Sequence, residues 1–169
     1  MLLRGLLALA VVASLAASGL ALRQRDEATT ERQTAEAAAI VERRATASGS
    51  DIIGAMANLK VDGLHTDLVL LDRGLVLVPA PKSTDNGKDR LRALLTSGPV
   101  EELATRFRFL PYEEIAAATI TKRTPVKAEL RTHAGVTVTV EERWTGEQLG
   151  ESRDALLGVL DRIADRSVV

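Results

Sequence analysis

Two short apolar runs constrain this chain more than any other feature. Leu68, Val69, Leu70 and Leu71 are followed, after Asp72, Arg73 and Gly74, by Leu75, Val76, Leu77 and Val78. Runs of β-prone residues joined by such a turn predict an antiparallel hairpin, with Gly74 at a position that needs positive φ. Pro79 and Pro81 then end the second strand, because proline cannot donate to a strand ladder. Farther along, a second hairpin is written in a different pattern. Lys127 to Thr132 alternates, His133, Ala134 and Gly135 turn the chain, and Val136 to Glu141 alternates back with three valines on one face. Such a sheet has one apolar and one wet face.

Helical spacing appears between the hairpins and after them. Leu91, Leu94 and Leu95 predict a helix over Asp89 to about Leu95, broken by Gly98 and Pro99, with a further helical turn over Val100 to Ala104. Arg106 to Phe109 alternates charge and aromatic, which assigns Phe107 and Phe109 to the core of a half-buried strand, and Ala118 to Lys122 reads as another short strand. At the end of the chain Leu156, Val159, Leu160 and Ile163 form the stripe of an amphipathic helix. Thr145 to Gln148 matches a capping box for its start, and Ser152 is a competing N-cap. The expected class is α+β, an antiparallel curved sheet capped by a C-terminal amphipathic helix.

The N-terminus obeys other rules. Gly5 to Leu22 carries no charge, with Arg4 before it and Arg23 and Arg25 after it. Eighteen helical residues span roughly 27 Å, close to the roughly 30 Å hydrocarbon core of a bilayer. A membrane anchor is the preferred reading over a removed signal peptide, because the apolar run continues past Ala16, Ala17, Ser18 and Gly19 to Leu22. Positive charge is greater by one on the C-terminal side, which leans toward a cytoplasmic domain and leaves topology open. Residues 26–50 are rich in Ala, Glu, Arg and Thr and read as a polar helical connector. The expected organisation is an N-terminal hydrophobic helix in residues 1–25, a connector in 26–50 and one globular domain in 51–169. The chain would then be a single-pass membrane protein, or, with the segment removed, an exported soluble one.

Composition narrows the chemistry. Lys and Arg total 22 against 23 Asp and Glu, so no global basic field draws the chain to nucleic acid. With no cysteine and two histidines, thiolate zinc sites are excluded and a histidine-rich metal site is not expected. His133 reads as a polar turn residue. The adjacent acids Glu101 and Glu102, Glu113 and Glu114, and Glu141 and Glu142 diverge on a helix or point to opposite faces of a strand, so none forms an acid/base pair. There is no phosphate loop, nucleophile elbow or His-Glu-x-x-His pattern. Neither catalysis nor a cofactor is expected.

Residues Asp67 to Val78, then Leu110 to Ile115, then the strand pair around Ala134 and Gly135 with the terminal helix, together resemble the bacterial pleckstrin-homology-like and GRAM-like domains. The resemblance covers roughly Leu64 to Arg166. It implies a partly open barrel capped by the helix, a binding or scaffolding module that contacts a protein or a peripheral lipid. The first hairpin departs from the phosphoinositide-binding members, offering only Arg73 beside Asp67 and Asp72. Lys82 to Thr105 would be an insertion able to carry a partner surface. Two local basic groups are the candidate contacts for an anionic surface: Lys82, Lys88, Arg90 and Arg92 in the insertion, and Lys122, Arg123, Lys127 and Arg131 around the later hairpin.

Overall fold

The computed structural model describes residues 49–82 and 86–166, together with 31, 32 and 35. The expected membrane segment, Gly5 to Leu22, and most of the connector lie outside the described residues. Among the described residues no helix is long and apolar enough to cross a membrane. The described residues from Gly49 onward belong to one compact unit. Its elements run β1 (Ile52–Val61), β2 (Leu64–Leu71), β3 (Gly74–Pro79), α1 (Gly87–Thr96), α2 (Val100–Arg106), β4 (Arg108–Pro111), a 3-10 turn (Tyr112–Glu114), β5 (Ile115–Arg123), β6 (Val126–Thr132), β7 (Thr137–Leu149) and α3 (Ser152–Arg166). The α+β class and the terminal helix are as expected.

All seven strands join one antiparallel sheet in the order β4-β3-β2-β1-β7-β6-β5, curved into a half-barrel. It consists of two meanders, β1 to β4 and β5 to β7, joined where β7 returns to pair with β1. On the inner face Leu68 and Leu70 of β2, Leu75 and Leu77 of β3, and Leu130 and Val138 of the other meander meet Leu156, Val159, Leu160 and Ile163 of α3. The C-terminal stripe therefore fills the open side of the curved sheet.

The outer face divides in two. Behind β2 and β3, Val69, Leu71, Val76 and Val78 are covered by Leu103 and Ala104 of α2 and by Phe109. Behind β1, Ala55 and Ala57 meet Leu91 of α1. Both faces of the first hairpin are thus dry, which explains its uninterrupted apolar runs. On β6 the burial alternates strictly from Val126 to Thr132, because no element among the described residues covers its outer face. The segment expected to be a partner-bearing insertion instead supplies α1 and α2, which cover the outer face of β1 to β3. Phe109 is buried as expected, whereas Phe107 ends α2 and is half-buried.

Several local expectations change. Gly74 is not at positive φ, because the β2–β3 turn contains only Asp72 and Arg73. Its requirement is space: a Cβ there would stand 2.5 Å from the Phe109 ring and 2.8 Å from the Leu110 carbonyl oxygen. The positive-φ hairpin turn is at Asp62 and Gly63, with φ of 51° and 79°, the signs of a type I′ turn. Gly135 does adopt the expected positive φ, 81°, in the β6–β7 turn. Strand β7 runs through Thr145 to Gln148, so the capping-box expectation fails and α3 starts later, at Ser152. The Ser152 hydroxyl donates to the Leu149 carbonyl and accepts the Ala55 N–H at 2.8 Å, which ties the helix start to β1. Strand β1, central in the sheet, carries little β propensity in Gly54, Ala55, Ala57 and Asn58, and its place is set by neighbours on both sides.

Replacing Gly74 with Ala should lower the urea midpoint by the equivalent of about 1–3 kcal/mol, the usual cost of overpacking, with an unchanged m-value. Gly146→Ala on β7 is not an equivalent control, since its Cβ would also meet backbone at 2.9 Å; Gly158→Ala in α3, whose Cβ would make only an ordinary contact with Arg162 at 3.9 Å, should be neutral or stabilising.

Candidate functional site

Asn58 begins the construction of the site. Met56 and Leu59 both point into the core although three residues apart, so β1 needs one extra residue between them. That residue is Asn58, at φ 63°, and on the β2 side Met56 pairs with Leu68 while Leu59 pairs with Thr66. On the β7 side the mismatch is larger and of opposite sense. Ala57 pairs with Glu147 and Leu59 with Glu142, so β7 makes an outward excursion over Arg143 to Gly146. The Asn58 side-chain amide donates to the Thr145 carbonyl at 3.0 Å and holds the base of that excursion. At its crest stands Trp144, the sole tryptophan of the chain, 92% exposed.

Beside the excursion lies an open groove of about 500 Å³. Lys60 of β1 lines it, with Lys122 of β5, Pro125, Val126 and Lys127 at the β5–β6 turn, and Glu141 to Thr145 of β7. The sheet register explains the convergence. Lys122 pairs with Lys127, Lys127 with Glu141, Glu141 with Lys60, and Lys60 with His65, a single row across five strands on the outer face. Four cations, Lys60, Lys122, Lys127 and Arg143, share the groove with two carboxylates. Glu141 is exposed and reaches only 4.0 Å from Lys127. Glu142 points the other way, as neighbouring strand residues must, and belongs to the interior.

Glu142 is fully engaged. Arg153 at the start of α3 forms a bidentate pair with it, at 2.5 Å for the closest contact, and the Val126 N–H donates to it at 2.9 Å. Burial opposes its charge, but these donors outweigh that penalty and hold its carboxyl below the usual range. An Arg143 Nη1 N–H donates to His65 Nδ1 at 3.1 Å. Desolvation, followed by the positive charges of Arg143, Lys60 and Lys82, lowers the His65 pKa. A guanidinium can only donate, so the geometry fits a neutral imidazole accepting at Nδ1.

The candidate cations expected from sequence are dispersed. Lys122 and Lys127 line the groove, and Lys82 is exposed within electrostatic reach of His65. Arg90 instead pairs with the buried Asp67, Nε to Oδ2 at 2.5 Å and Nη2 to Oδ1 at 2.9 Å, while the Asn58 N–H donates to the same carboxylate at 3.0 Å. This network fastens α1 to the sheet. Arg92 pairs with Asp89 within α1, and Arg123 with Asp161 of α3. Lys88 is exposed on α1 and Arg131 on β6. Sequence reading missed Lys60, Arg143 and Trp144. The one signal available was a lone tryptophan in the polar stretch Glu141 to Thr145, outside any apolar stripe.

Among the described residues no group of three or more His, Cys, Asp or Glu side chains is placed to hold a metal ion. No protein-family model matches the chain, and no curated protein matches it.

Two arginines of the same predicted group should behave differently. Arg90→Ala strands a buried carboxylate and should cost about 3–5 kcal/mol in urea unfolding, whereas Arg92→Ala should stay within about 0.5 kcal/mol. Glu142 gives a pH signature. With its folded-state pKa depressed, its contribution is complete above the ordinary carboxylate pKa and is lost as pH falls through the folded value. Urea midpoints should therefore fall below about pH 4.5. Glu142→Gln should cost about 1–3 kcal/mol at neutral pH and make that acid slope shallower.

Proposed function

We propose that this chain is a membrane-anchored, non-catalytic binding module with pleckstrin-homology-like architecture, held by Gly5 to Leu22 and meeting an anionic partner at the groove beside Trp144. The observation that carries the reading is the convergence of Lys60, Lys122, Lys127 and Arg143 from three strands and one excursion onto one groove. Like-charged groups repel, so folding alone does not favour this grouping. Support for the architecture comes from the four-strand and three-strand meanders closed by a C-terminal helix. A binding rather than catalytic role is supported by the use of the buried ionic groups: Asp67 with Arg90 and Glu142 with Arg153 fasten helices to the sheet.

The test uses the full chain in its own cells. Intact mass should match the complete sequence, the chain should stay with membranes through a high-salt wash, and removal of Met1 to Arg25 should release it. Protease should digest the domain only after the cells are opened. A shortened, released chain with a mature N-terminus near Leu20 would replace this reading with an exported binding protein carrying the same domain.

A further inference from the structure

We infer that the groove binds the phosphate of an anionic phospholipid headgroup while Trp144 enters the interface of the same bilayer. The inference rests on the proposed reading of the chain as a membrane-held module and names the ligand of its groove. Three observations carry it.

The first is charge. Within the groove, Lys60, Lys122, Lys127 and Arg143 face a single available carboxylate, Glu141, because Glu142 is paired with Arg153 and the Val126 N–H. At 4.0 Å and more than half exposed on both sides, Lys127 and Glu141 form a weak pair that a phosphate can displace. The ligand class is therefore anionic with several acceptor oxygens, matched by ammonium groups and a guanidinium.

The second is Trp144. An indole left 92% exposed at the crest of a strand excursion buries almost none of its surface in the fold. Its apolar body and N–H tip match the headgroup level of a bilayer, where tryptophan is enriched. A free phosphate would use the cations and have no use for this ring, which separates a lipid source from a soluble one.

The third is placement. The excursion is fixed by the mismatch between Asn58 and Arg143 to Gly146 and by the bond from Asn58 to the Thr145 carbonyl, so the ring is presented by a defined backbone. Cations and indole line the same groove.

Trp144, as the sole tryptophan, reports the event directly. The full chain would be reconstituted in phosphatidylcholine bilayers and in bilayers that also contain phosphatidylglycerol, and its emission read with acyl-chain-brominated lipids present. A blue shift and quenching should appear only with phosphatidylglycerol, and should weaken as salt rises. Lys60→Ala and Lys127→Ala should each weaken the response about fivefold, and Lys88→Ala on α1 should leave it unchanged. Inorganic phosphate or glycerol phosphate added to the phosphatidylcholine sample should not reproduce the shift. A full response to those soluble anions would overturn the lipid assignment, and no response in any sample would overturn the site. If the chain is not retained in phosphatidylcholine bilayers, the anchor fails. The groove is then read separately by adding the same full chain from solution to phosphatidylglycerol vesicles.

Discussion

Everything in this unit depends on covering both faces of the β2–β3 hairpin. Leu68, Leu70, Leu75 and Leu77 face one way and Val69, Leu71, Val76 and Val78 the other, all buried. At roughly 25 cal/mol per Å² of apolar surface, neither face is stable in water, so the chain must supply two separate covers. The curved second meander with α3 provides one, and α1 with α2 provides the other. Sheet curvature and the long β3–β4 connection are consequences of that single need.

Apolar contact brings the covers to the sheet, and ionic contact fixes where they sit. Arg90 of α1 meets Asp67 on the outer face, and Arg153 of α3 meets Glu142 on the inner face. In each case the carboxylate is about 2% exposed and the guanidinium only partly buried. Such a pair is weak evidence for net stability, since both ions lose water, but misplacing the helix would leave a bare buried carboxylate. The pairs therefore oppose sliding of the helices. Arg123 with Asp161, both exposed, has no such force.

The groove is a by-product of strand mismatch. Strand β1 carries one extra residue toward β2, and β7 carries several toward β1, so the excursion at Arg143 to Gly146 rises where regular pairing would have kept Trp144 flat on the sheet. The cross-strand row then does the rest, since residues paired across antiparallel strands share a face. Lys122, Lys127, Glu141 and Lys60 are far apart in sequence and adjacent in the sheet.

Patterns shorter than about ten residues were legible in the linear chain: both hairpins, the two helical stripes, and the divergence of Glu141 from Glu142. These depend on local periodicity, which the backbone geometry of helix and strand imposes without reference to the rest of the fold. Strand β1 was not legible, because Gly54, Ala55, Ala57 and Asn58 lack β propensity and are held in place by β2 and β7. The partners of the cations were equally hidden: Arg90 and Arg92, two residues apart, end one in a buried network and one on the surface. Composition and periodicity determined what elements this chain could form and which faces they had to hide. Register alone decided which charges meet around Trp144, because a pairing between strands is a property of two distant segments and of neither one separately.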